Sequence, residues 1–171
     1  AYLYRKGEYD PAREHSFAPS LANRIDRNTA GLVLCAKNAE SLRALSEMIR
    51  GGRIEKEYRA LVYGTPSPAR GTLKLYLQKD EEQKFVRVFD RMHEGAKTAV
   101  TEYEVLESDG EVSLLHVRLH TGRTHQIRAS FDHVGHPLVG DAKYADLRGR
   151  DTRGFSHQAL LSYRVTFRPN E

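Results

Sequence analysis

Residues 98–120, TAVTEYEVLESDGEVSLLHVRLH, decide the fold class. Thr98–Leu106 and Val112–His120 are each long enough for a strand. Ser108-Asp109-Gly110 between them is turn chemistry, because Asp bonds its own backbone and Gly supplies a positive φ without strain. The pair predicts an antiparallel hairpin. Upstream, Arg53–Tyr63 alternates, with Ile54, Lys56, Tyr58, Ala60 and Val62 on one face and Glu55, Glu57 and Arg59 on the other, which predicts another strand. Thr72–Leu77 and Phe85–Phe89 read as two short strands across a charged connection, behind a Pro- and Gly-containing loop at Thr65–Gly71. Asn38 is placed to cap a helix whose Leu42, Leu45, Met48 and Ile49 recur at helical spacing, and Gly51-Gly52 stops it.

Towards the N-terminus, the polar turn at residues 26–31 runs into LVLCA (32–36), short and apolar enough for a buried strand. Residues 1–20, with Gly7, Pro11 and Pro19, show no sustained period and read as an irregular leader. Towards the C-terminus, a Thr-Gly-Arg-Thr turn at 121–124 opens a helix at His125–His133, ended by Gly135 and Pro137, and a last strand occupies Ser162–Phe167. Strands outnumber helices and several are joined by hairpins, so the class is α+β with a mixed, largely antiparallel sheet. No repeat, low-complexity tract or interdomain linker interrupts it, and residues 1–171 are expected to form a single catalytic-type domain.

The 171 residues are 39% hydrophobic and 29% charged, the balance of a chain that buries a core and faces water. No apolar run approaches the ~20 residues of a membrane span, and the first ten residues lack a signal-peptide core. The one cysteine, Cys35, cannot form an internal disulfide. A cytoplasmic protein with no membrane association is expected. Lys and Arg total 27 against 23 Asp and Glu, a modest excess whose distribution matters more than its sum. Between Val112 and Gly140 stand Arg118, Arg123, Arg128 and five histidines against one acid, Asp132, a pattern open to a polyanion or to a solvated basic face.

Three segments could carry chemistry. Asp26 lies between Arg24 and Arg27 in a turn feeding an apolar run. A carboxylate beside guanidinium groups stays ionised, which suits a nucleophile or base, although an Asx turn would also place an Asp there. In Thr121–Arg128, Gly122 permits close approach, Thr124 is placed to cap the helix, and its first turn with Arg123 and Arg128 would attract a phosphate or carboxylate. Arg128, one turn in, is placed to pair with an inward-facing acid such as Asp26, leaving Arg123 at the mouth. Tyr58 shares its face with core-type Ile54 and Val62, but also with Lys56, a combination suited either to the core or to a wall where a base stacks and a phosphate is met. A metal site is not expected: His116 and His120 would stand roughly 13 Å apart along a strand, and His133 and His136 match no compact ligand pattern. No Gly-rich nucleotide loop or nucleophile elbow is present.

Taken in order, Asn23–Leu34 (NRIDRNTAGLVL), Lys56–Gly64 (KEYRALVYG), Gly122–Arg128 (GRTHQIR), Gly135–Asp141 (GHPLVGD) and Gln158–Leu160 with Val165–Phe167 resemble the RluA-type pseudouridine synthases, enzymes that isomerise uridine in RNA. The resemblance implies the pseudouridine synthase catalytic fold, a bent mixed sheet with flanking helices and a central cleft. By matching positions it implies a catalytic Asp26, a base-stacking Tyr58 and an Arg128 paired with Asp26. Arg24, Lys56, Arg123 and His125 would bind or flip the RNA, and Leu160 would wall the pocket. It implies a monomer acting on ribosomal or transfer RNA, with no metal and no nucleotide cofactor. Asn23, Ala30, Ser130 and Leu161 depart from residues common in the family, namely His, Ser, His and His. The family's N-terminal Pro/Gly strand motif and its small basic S4 domain are not found in this sequence. A second reading is an RNA-binding relative without catalysis.

Overall fold

The computed structural model describes residues 2–168. A single helical turn, α1 (Tyr2–Arg5), precedes the two-residue strands β1 (Ser20–Leu21), β2 (Ala30–Gly31) and β3 (Cys35–Ala36). α2 (Ala39–Arg50) starts as its sequence predicts: the Asn38 side chain accepts from the Ser41 amide at 2.8 Å, and the Gly51 amide closes the last turn on Glu47 at 2.8 Å. β4 (Ile54–Tyr63), β5 (Arg70–Asp80) and β6 (Phe85–Phe89) follow, then β7 (Lys97–Ser108) and β8 (Val112–Leu119), α3 (Gln126–His133) and β9 (Leu160–Phe167).

β7 and β8 form the expected hairpin, turned where the Asp109 carboxylate accepts the amides of Glu111 at 2.9 Å and Val112 at 2.8 Å. Seven strands make one sheet in the order β2-β9-β4-β8-β7-β5-β6, antiparallel throughout except for the parallel β2–β9 pair. The α+β class and mixed sheet are as expected. Bulges interrupt the β4–β9 ladder at Glu57/Tyr58 and the β7–β8 ladder at Val105/Glu107, where strands kink and twist more strongly.

α3 lies against the sheet, and Phe131, Leu115, Leu138, Val62 and Val117 interlock at zero exposure. Each such side chain contributes about 1.5–3 kcal/mol on leaving water, so this cluster fixes where α3 sits. A second cluster, Leu75, Leu77, Val86, Ala99 and Ala129, ties the same helix to the hairpin side.

The buried strand expected at 32–36 is not formed. Only Cys35 and Ala36 pair, with β1; Leu32 and Val33 are exposed, at 48% and 36%. The run is apolar, but its backbone is held by isolated bonds, Leu32 to the Ser162 carbonyl at 2.8 Å and Leu34 to the Asn23 side chain at 2.7 Å. Asn23 thus ties the turn to the segment that follows it. Just before, Gly31 is required: its φ is +111°, and a Cβ there would lie 2.0 Å from the Ser162 carbonyl oxygen. Among the described residues no helix is long and apolar enough to cross a membrane.

Candidate active site

The turn after β1 presents Asp26. Its carbonyl accepts the Thr29 amide at 3.0 Å, and the Gln158 side-chain amide donates to the Arg27 carbonyl at 2.6 Å and to the Thr29 hydroxyl at 3.2 Å. Because Gln158 leads into β9, the turn is bolted to the sheet rather than free. The Asp26 side chain is 17% exposed, and its Oδ2 lies 3.5 Å from Nη1 of Arg128, which is 7% exposed. Residues 102 positions apart in sequence are thereby brought together. Among the described residues, neither Arg24 nor Arg27 pairs with Asp26; its counter-charge comes from α3.

Arg128 is held more tightly from its other side. Nε and Nη2 donate to the two oxygens of Asp141 at 2.7 and 2.8 Å, a fork on a carboxylate that is 2% exposed. Burial works against the guanidinium charge, but the Asp141 hydrogen bonds and charge outweigh it and hold Arg128 above the usual arginine range. The Tyr144 ring covers the guanidinium at 5.2 Å, and its hydroxyl meets Nδ1 of His125 at 2.8 Å. In the sequence Asp141 stands within GHPLVGD with no role marked for it, and Tyr144 is not singled out there. The signal was an acid directly after a glycine in a segment otherwise buried, with an aromatic one turn on.

α3 begins one residue later than expected and is not capped by Thr124. His125 occupies the cap position in the left-handed region, φ 51°, with no side-chain cap bond. Gln126 replaces it: its carbonyl oxygen accepts from the Arg123 amide at 3.0 Å and the Thr121 hydroxyl at 2.8 Å, while its amide donates to Val100 and Thr101. That buried side chain fixes the turn on β7. Arg123 is not wholly free at the mouth, since its Nε donates to the Thr98 carbonyl at 2.9 Å. His116 and His120 serve separate carboxylates, Glu57 at 2.7 Å and Glu102 at 2.9 Å.

A cleft of about 790 Å³ opens above Asp26, and Arg24, Lys56, Tyr58, Arg123, His125 and Leu160 all line it. Tyr58 is 6% exposed and belongs to the core cluster, and it also lines the cleft. Burial pushes its hydroxyl above the usual tyrosine range, aided by the Asp26 charge. Lys56 is half-buried beside Gly122, and burial lowers its ammonium below the usual lysine range. Burial also lowers His125, and Asp26 opposes that shift without overcoming it. Six lysines and arginines line the cleft against two carboxylates, Asp26 and Glu55, so its rim favours an anion while its floor presents an acid.

A family model described as RNA pseudouridylate synthase matches residues 1–133. The chain belongs to the RNA pseudouridylate synthase family. Within that family, an uncharacterized RNA pseudouridine synthase of Mycoplasma pneumoniae is 41% identical over 155 residues, covering 89% of this chain and 47% of that protein. Ribosomal large subunit pseudouridine synthase D of Borreliella burgdorferi is 33% identical over 136 residues, 80% of this chain and 41% of its own length. The chain spans about half the length of the curated relatives it matches. The fold is that of human RNA pseudouridylate synthase domain containing 1, with a TM-score of 0.75 at 22% identity over 90% of this chain and 69% of that one.

Proposed function

We propose that this pseudouridylate synthase family member isomerises uridine to pseudouridine in ribosomal or transfer RNA, with Asp26 as the catalytic residue. The observation that carries the reading is the Asp26 carboxylate beside Arg128 at the floor of a cation-rimmed cleft walled by Tyr58 and Leu160. A uridine must leave its stack to reach that floor, at a cost of a few kcal/mol that stacking and phosphate contacts offset. Tyr58 supplies the ring on which the everted base rests. Arg24, Lys56 and Arg123 meet phosphates, and His125 lines the same cleft within reach of the Asp26 charge.

Asp26 starts cleavage of the bond between the sugar and N1 of uracil, by attack at the sugar or by removal of a sugar proton. The freed uracil turns, joins the sugar through C5, and loses the C5 hydrogen to solvent. Arg128 supplies the counter-charge to the carboxylate in either route, and no step calls for a metal or a nucleotide cofactor. The loss of the C5 hydrogen gives the test. Asp26→Asn is expected to abolish tritium release from 5-labelled uridine in RNA and to leave folding and RNA affinity nearly unchanged. Undiminished release would refute the role of Asp26; no release from the unaltered chain, with RNA still bound, would favour a binding protein instead.

A further inference from the structure

Two carboxylates flank one buried guanidinium, and they share it unequally. Arg128 presents a planar fork of N–H donors, and a lone carboxylate facing such a fork takes it with both oxygens. Asp141 does so here, at 2.7 and 2.8 Å; Asp26 receives one nitrogen at 3.5 Å, and its Oδ1 accepts no hydrogen bond from a described residue. One carboxylate would neutralise the guanidinium. A second leaves the trio with a net negative charge largely out of water, an arrangement that costs stability rather than adding to it.

The segment carrying Asp141 is built to hold it. Gly140 has a φ of +74°, and a Cβ there would lie 2.3 Å from the His157 carbonyl oxygen. The Asp141 amide donates to Leu138 at 3.2 Å, and its Oδ1 also accepts the Lys143 amide at 3.2 Å. Tyr144 then closes the guanidinium face. Asp141 is buried and does not line the cleft, so it reaches the site through Arg128 rather than directly.

We propose that Asp141 is a positioning residue: by occupying Nε and Nη2 of Arg128 it prevents the fork from closing on Asp26 and leaves Asp26 an oxygen free to meet the substrate. The inference rests on the reading of Asp26 as the group that acts on uridine. Two measurements test it. In proton-exchange NMR of the Arg128 Nε–H, slow exchange should persist in Asp26→Asn and be lost in Asp141→Asn. Loss in Asp26→Asn would overturn the assignment, and this arm needs no activity. In single-turnover assays, Asp141→Asn should slow pseudouridine formation about a hundredfold at unchanged RNA affinity, the scale expected when a reacting group is misplaced by about an ångström. Asp141→Glu, which keeps the charge on a longer arm, should recover part of that rate. A wild-type rate in Asp141→Asn would overturn the proposal, and should that variant not fold, retention of slow Arg128 Nε–H exchange in Asp141→Glu with no pseudouridine formed would do so. Absence of tritium release from the unaltered chain defeats the proposed function instead, and leaves the exchange comparison to judge Asp141 by itself.

Discussion

Tyr58 fills two places with one side chain. Its ring belongs to one core cluster with Ala60, Val62, Val117 and Leu160, and the same residue lines the cleft. Magnitudes separate the duties. Truncating a buried aromatic to alanine costs about 3–5 kcal/mol, whereas a hydroxyl hydrogen bond, here between Tyr58 and the Ser162 side chain, contributes about 1. Urea unfolding of Tyr58→Ala should therefore show a loss of about 3–5 kcal/mol and Tyr58→Phe a loss of about 1; equal losses would remove the ring from the core. At this scale the sequence was informative about kinds of residue and silent about partners. Asp26 and Arg128 stood out as an acid in a turn and a base on a helix. Asp141 did not, because its importance lies in a contact made across a loop by an otherwise unremarked acid.

Among the elements, β4 sits centrally, paired along its length with β8 and β9, and its two faces do different work. One carries Tyr58 and Lys56 to the cleft. The other carries Glu57, 4% exposed, whose carboxylate accepts from His116 at 2.7 Å and from the Tyr163 hydroxyl at 3.0 Å. Burial alone would raise Glu57, but those hydrogen bonds and Arg164 outweigh it and hold the carboxyl below the usual range. The unfolded chain then binds more protons as pH falls below about 4.5, so the stabilisation is present above that pH and is lost as pH drops towards the lower folded value. Glu57→Gln should flatten this part of the stability–pH curve in chemical denaturation between about pH 5 and 3; an unchanged curve would mean that Glu57 does not couple protonation to folding. β4, α2 and the β7–β8 hairpin were legible because alternation, caps and turn residues act within a few positions. The 32–36 run was misread because apolarity marks a strand only when a neighbouring strand arrives to cover it, and here none pairs with residues 32–34.

For the whole molecule, the cleft gathers residues from the turn before β2, from β4, from the turn before α3 and from the start of β9. No window of sequence shows that convergence; it emerges only when the sheet order places β9 beside β4 and β4 beside β8. The basic stretch from Val112 to Gly140, whose charge alone is open to a polyanion or to a solvated face, supplies one wall of the cleft, while Arg24, Arg50 and Lys56 supply others from outside it. If these cations meet RNA phosphates, affinity falls with salt in proportion to their number. Removing the exposed Arg24 as Arg24→Gln should lower the slope of log Kd against log salt by about 0.7 to 1 and weaken all RNA sequences alike. An unchanged slope would place Arg24 off the nucleic acid.

The six consecutive buried residues Gln126–Phe131 of α3 carry a further meaning. A helix enclosed on every side cannot shift one residue without disturbing its neighbours, so the arginine at its middle is set before any substrate arrives. The rim, by contrast, is made of long exposed side chains such as Arg24. Any adjustment to a ligand is thus left to the margin and to the guest: under the proposed function the RNA strand would bend and evert its base to suit an unyielding floor.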